Sequence, residues 1–259
     1  MMAGGNNKVD PTMKKTTLAL ALLASMSAYA ESPIQWWDAS ATLLHGEDYD
    51  LAPSHRQTTL TLETAGGWSY GDWFAFYDFI EFNGTSESAS YGEISPRFSF
   101  GKMLGTDLGM GPVTDLSLAL TYETGKGPVE SFLYGVGADL ALPGFTYFQL
   151  NAYKRDAISD GNISDGWQLT PVFRVDIPVG DANLVVDGFI DWVVAADNDG
   201  YEENLHFNPQ IKYDLGRSLF GEAKSNTLLV GIEYDYWQNK YGVDGIDQNT
   251  YSFIVKYHL

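Results

Sequence analysis

The chain has no cysteine among its 259 residues, so it forms no disulfide and holds no thiolate-ligated metal. It has no apolar run approaching eighteen residues. A helix needs about 20 such residues to cross a bilayer, so helical spans are excluded. Positive charge is scarce: 15 Lys and Arg stand against 34 Asp and Glu, for a formal charge of −19. Binding nucleic acid through its phosphates needs clustered Lys and Arg, so nucleic acid is excluded as a partner. Histidine is limited to His45, His55, His206 and His258. A lipid hydrolase built on a barrel would need a His and a Ser together on an outward face near the headgroups. His206 has no Ser near it in sequence, and His258 has only Ser252, six residues away. No enzyme, no cofactor and no metal site is expected.

What is present begins at the start of the chain. Met13-Lys14-Lys15-Thr16-Thr17 leads into Leu18-Ala19-Leu20-Ala21-Leu22-Leu23-Ala24, and Ala28-Tyr29-Ala30 follows. A basic segment, a short apolar core and an A-x-A end read as a secretory signal cleaved after Ala30. Residues 1–12 precede a better start at Met13. The expected division is therefore 1–30, extension and signal peptide, removed, and 31–259, the mature domain. Removing 1–30 takes away Lys8, Lys14, Lys15 and Asp10, leaving 12 basic and 33 acidic groups, or −21. The acids gather in candidate loops: Glu47-Asp48-Tyr49-Asp50, the stretch from Asp197 to Glu203, and Asp244 with Asp247.

The rest of the chain alternates. In the last segment Tyr251, Phe253, Val255, Tyr257 and Leu259 share one strand face, and Thr250, Ser252, Lys256 and His258 share the other, with Ile254 the apolar exception. Twelve such segments are predicted, near 35–45, 57–66, 72–82, 91–101, 114–124, 131–142, 145–155, 167–178, 183–195, 204–215, 226–237 and 249–259. Each is long enough for a tilted strand to cross a membrane. Pro96, Pro171 and Pro209 fall inside three of them, where bulges or gaps in the ladder are expected. Leu142-Pro143-Gly144 and Val179-Gly180-Asp181-Ala182 are the sharpest turns, and the longer polar stretches join segments 7–8 and 9–10. An even strand count puts the short turns in the periplasm. Two periplasmic connections, 102–112 and 216–225, are long for turns; ordered turns or a strand running past the membrane are expected there. A soluble sandwich or lipocalin-like barrel would alternate in the opposite sense. The signal peptide, the aromatic final strand and the ionisable groups of both signs on the polar face favour lipid outside and water inside. The fold class expected is all-β: a twelve-stranded antiparallel transmembrane barrel in the bacterial outer membrane, in contact with lipid and lipopolysaccharide.

The segment Glu93-Ile94-Ser95-Pro96-Arg97-Phe98-Ser99-Phe100, followed by Thr106-Asp107-Leu108-Gly109-Met110-Gly111-Pro112, resembles the Tsx/OmpK family of outer-membrane nucleoside-specific channels. Gly71-Asp72-Trp73-Phe74-Ala75-Phe76-Tyr77-Asp78 is similar to the family's D-W-F-x-F-Y segment, and Trp36-Trp37 to its early double tryptophan. The resemblance implies a narrow, monomeric barrel that passes nucleosides; some members also serve as phage receptors. One departure is Ala75, where the compared channels carry an Asp. The nearest following acid is Asp78, on the opposite face of the strand.

A nucleoside offers a flat base and a hydroxylated sugar, so a selective pore needs aromatic faces and hydrogen-bonding carboxylates or amides. Binding must be weak and repeated, so that the solute leaves. Parity places the candidates Trp36, Asp38, Glu93, Arg97, Asp139, Tyr153, Asp187, Phe189, Asp191, Asp235 and Trp237 inward. Phe74 and Asp78 join them from the third strand, whose own parity is ambiguous because aromatic residues occupy both faces. Asp187, Phe189 and Asp191 form a carboxylate–aromatic–carboxylate ladder. Trp167, Trp192 and the outward tyrosines are expected to form the interfacial girdle. The alternatives are a general narrow pore for other small solutes, or a surface receptor in which the pore is incidental.

Overall fold

The computed structural model describes residues 33–259; the expected leader lies outside the described residues. Twelve strands follow one another: β1 Ile34–Gly46, β2 Gln57–Trp68, β3 Gly71–Phe82, β4 Ser88–Ser99, β5 Val113–Gly125 and β6 Ser131–Leu140. Then come β7 Tyr147–Ala157, β8 Gly166–Val179, β9 Ala182–Ala196, β10 Asn204–Asp214, β11 Leu228–Gln238 and β12 Gln248–His258. Each pairs antiparallel with its neighbours in the chain. β12 closes on β1 from Ser40↔His258 to Gly46↔Ser252, so no sheet edge is left open. Most predicted boundaries lie within about two residues of these. β4 begins three residues earlier than expected and ends before Phe100, where a short helix starts.

Alternation is the cause of the fold. Side chains on one strand face point to one side of the wall. In β12, Tyr251, Phe253, Val255 and Tyr257 are exposed on the outside, while Thr250, Ser252, Ile254 and Lys256 are buried on the inside. The same division holds round the barrel. Leu43, Phe79, Ile94, Val136, Trp167, Trp192 and Ile211 are outward and exposed, as a lipid-facing belt requires. The inner wall is polar and packed: Lys212, Asp214, Gln248, Thr42 and Ser131 are almost inaccessible. The ambiguous third strand resolves. Thr61 Oγ1 donates to Asp78 at 2.6 Å from the inner face of β2, so Asp72, Phe74, Phe76 and Asp78 face inward and Trp73, Tyr77 and Phe79 face lipid.

The three prolines leave gaps, not bulges. The β4–β5 ladder passes from Ile94↔Tyr122 to Arg97↔Ala119 with its register unchanged, and β8–β9 passes likewise from Leu169↔Trp192 to Val172↔Phe189. The β10–β11 ladder skips from Phe207↔Tyr236 to Gln210↔Glu233. Proline has no N–H to donate, and each faces outward. At two gaps an inward hydroxyl bridges the strands instead: Thr121 Oγ1 donates to Ser95 Oγ at 3.0 Å, and Thr170 Oγ1 to Asp191 at 2.7 Å. Opposite Pro209 stands Gly188; a Cβ there would lie 2.3 Å from the Asn208 carbonyl oxygen. Register shifts occur elsewhere, at Ile34/Trp36, Val113/Asp115 and Trp167/Gln168.

The two long periplasmic connections hold short helices, Phe100–Leu104 and Leu215–Phe220. Ser99 and Asp214 cap them by accepting from the backbone N–H groups of Lys102 and Arg217. The helices replace the ordered turns or extended strands expected there.

Candidate functional site

The lumen wall is organised by charge pairing. Five strand-borne bases point inward, and each meets an acid. Arg97 holds Asp139 at 2.6 Å, Arg155 grips Glu123 through two bonds of 2.7 Å, and Arg174 holds Asp176 at 2.8 Å. Lys212 donates to Asp187 at 2.6 Å, and Lys256 lies 2.8 Å from Glu63. Near the periplasmic end, His258 Nδ1 lies 2.8 Å from Asp38. Such pairs offset the cost of holding charges in a constricted wall.

Besides Asp115 and Asp214, which bind the short helices and turns at the periplasmic end, four inward carboxylates have no cation within ion-pair distance among the described residues. They are answered by neutral donors: Asp78 by Thr61, Glu93 by the Tyr91 hydroxyl at 2.7 Å, Asp191 by Thr170 and Gln168, and Glu233 by Gln210 at 2.8 Å. Glu93 on β4 and Asp191 on β9 stand on widely separated strands of the wall.

Aromatic rings accompany these acids on two opposed arcs of wall. On β9–β11, the His206 ring stacks on Trp237 with centroids 3.9 Å apart and planes 10° from parallel, and Phe189 meets His206 edge-on at 5.2 Å. Asp235 lies 3.0 Å from His206 Nε2 and also accepts from Gln248. On β3–β4, Phe74, Phe76 and Tyr91 form a ladder with centroid spacings of 5.9 and 5.8 Å. Asp78 and Glu93 flank it.

The outer mouth is narrowed by loops that turn inward. Tyr49 of the β1–β2 loop bonds Ser252 at 2.5 Å, and the Asp50 N–H donates to Gln248 at 2.8 Å. Lys240, in the β11–β12 loop, donates to the Asp50 carbonyl at 2.9 Å and to Gln248, and lies over the rings of Tyr49 and Tyr241. Burial lowers its pKa below that of an ordinary lysine, though Asp235 and Asp50 oppose the shift. Burial likewise pushes the Tyr49 and Tyr201 hydroxyls upward. Tyr241 sets its edge against Trp237 at 5.0 Å, so the loops meet the upper aromatic arc. Tyr201 packs on Gly242, whose φ of 73° and closeness to that ring leave no room for a Cβ.

The residues predicted from sequence divide into two groups. Phe189, Asp191, Asp235 and Trp237 come together on one arc, and Phe74, Asp78 and Glu93 on the other. Asp38, Arg97, Asp139 and Asp187 are tied into ion pairs. Tyr153 is buried against Ala119 and Leu133, and Trp36 lies over Gly67 at the periplasmic rim. Phe76, Tyr91 and His206 share parity with chosen neighbours and were within reach of that argument. Tyr49, Lys240 and Tyr241 come from loops that parity does not describe.

A family model for the nucleoside-specific channel-forming protein Tsx matches residues 34–259, the whole barrel. The chain belongs to this family. The Tsx protein of Klebsiella aerogenes is 31% identical, over 87% of this chain and 85% of that one. The outer membrane protein OmpK of Vibrio parahaemolyticus is 25% identical, over 94% and 98%. Among solved structures, the KdgM porin superposes with a TM-score of 0.49 at 10% identity, covering 84% of this chain and 98% of its own. As a Tsx-family member the protein is an outer-membrane channel and not an enzyme, and the polar lumen described above is its conduction path.

Proposed function

We propose that the channel passes nucleosides by weak, successive binding along the lumen. The observation that carries this reading is the pair of opposed aromatic arcs, each flanked by carboxylates that have no cationic partner. A base stacks on His206–Trp237 or on Phe74–Phe76–Tyr91, and ribose hydroxyls donate to Asp191, Asp235, Asp78 or Glu93. Sharing the contacts between two arcs suits transport, because a tight site would hold the solute. The Asp187–Phe189–Asp191 ladder takes part through Phe189 and Asp191, while Asp187 keeps Lys212 neutralised. The curated relatives named for nucleosides support the same solute class.

The test is single-channel current across a planar bilayer with adenosine, thymidine or glucose added. Saturable block by the nucleosides and none by glucose is expected. Linear flux without block would favour the general narrow pore, and the aromatic arcs would then be lining alone. The functional unit is a monomer that begins at Glu31, its signal removed; the intact mass of protein isolated from outer membranes checks the cleavage.

A further inference from the structure

The β10–β11 connection encloses a groove that the conduction path does not use. Its walls are Gly216, Phe220, Lys224, Thr227, Leu228 and Tyr257, and its volume is about 250 Å³. Leu228 and Tyr257 are partners across β11–β12 and lie on the lipid-facing side, at the periplasmic end of the same row as Tyr251, Phe253 and Val255. The groove therefore continues the membrane belt below the last ladder pairs. Leu219 and Phe220 of the short helix are 61% and 67% exposed, far more apolar surface than a water-facing turn needs.

Lys224 is the cation at the groove. It is exposed, and its ammonium has no carboxylate within ion-pair distance among the described residues, whereas the neighbouring Arg217 is held by Glu222 at 2.6 Å. In a chain with 34 acids and 15 bases, an unpaired lysine beside an apolar slot, at the depth of the inner headgroups, is complementary to one kind of partner. We infer that this groove binds a phospholipid of the periplasmic leaflet. An acyl chain lies along Phe220, Leu228 and Tyr257, and the headgroup phosphate meets Lys224. Gly216 keeps the pocket's shape, since a Cβ there would stand 2.5 Å from the Lys224 carbonyl oxygen.

The experiment reconstitutes the full barrel with phosphatidylethanolamine carrying a photoreactive group in its acyl chain, and maps labelled peptides by mass spectrometry. Labelling of the segment 215–228 several-fold above that of the belt segment 249–257 is expected. Lys224→Glu and Phe220→Ser should each lower it at least fivefold, with labelling at Phe253 unchanged and the heat-modifiable folded band retained. A matching diacylglycerol probe, which lacks phosphate, should label the segment weakly and equally in wild type and Lys224→Glu. Equal labelling of groove and belt, or variants that label like wild type, would overturn the proposal. Equal labelling by the two probes would overturn the phosphate contact at Lys224.

Discussion

At the scale of single residues, the lumen separates side chains that hold the wall from side chains free to meet a solute. Arg155 and Glu123 are both nearly buried and doubly bonded to each other. Removing one partner leaves an uncompensated charge, which costs about 3–5 kcal/mol where a pair is buried. Glu123→Gln is therefore expected to lower the urea midpoint of the refolded barrel, and Glu123→Gln with Arg155→Met to recover much of the loss. Trp237 should behave differently. Base–aromatic stacking is worth about 1–3 kcal/mol by truncation, so Trp237→Ala should weaken adenosine block about tenfold and leave the folded band intact. Block unchanged in that variant would remove the β9–β11 arc from the solute path. Parity along a strand was legible in the sequence because it depends only on counting by two. The choice of partner was not. Asp187 and Asp191 look alike in sequence; the stagger between strands puts Lys212 beside one and Thr170 with Gln168 beside the other.

At the scale of elements, the strands were legible because each alternates over a membrane's width. The interruptions were less so. A proline inside a strand announces a lost donor, but not whether the chain responds with an extra residue or a gap. Here the register survives in all three, with an inward hydroxyl bridging the Pro96 and Pro171 gaps; at Pro209 the opposite ladder stays continuous, where Gly188 of β9 lets the β10 backbone approach. Gly188→Val is expected to destabilise the barrel by about 1–3 kcal/mol, the usual range for forcing atoms into packed space. A denaturant titration would read this as a lower midpoint, and no shift would show that β10 moves aside freely. The helices Phe100–Leu104 and Leu215–Phe220 escaped the sequence reading because five or six residues are too few for a helical period to show.

At the scale of the whole molecule, the conduction path has a sign. Every inward strand-borne lysine and arginine meets an acid, while Asp78, Glu93, Asp191 and Glu233 meet only neutral donors. A path lined this way focuses a negative field. Under a KCl gradient at low salt the reversal potential should favour potassium, and converting the four to amides should bring it close to zero. An anion-selective wild-type channel would contradict the assignment of those faces. The inward loops belong to this scale too, and explain what the sequence concealed. Tyr49 and Ser252 are 203 positions apart yet share one bond, and nothing local in either segment announces the other. Lys240→Met should loosen the mouth and raise unblocked conductance, an outcome that single-channel recording reads directly.

The seam between β1 and β12 also governs when the protein can exist. Ser40 pairs with His258, and the N–H of Leu259 donates to the carbonyl of Ala39, near the start of the described residues. The cylinder thus depends on pairing between the first and the last strand of the barrel, and it closes only when both are present. Without that seam, both β1 and β12 carry unpaired backbone groups that invite promiscuous pairing. A chain lacking β12 would lose little mass and few lumen groups, yet would remain an open ribbon with two unpaired edges.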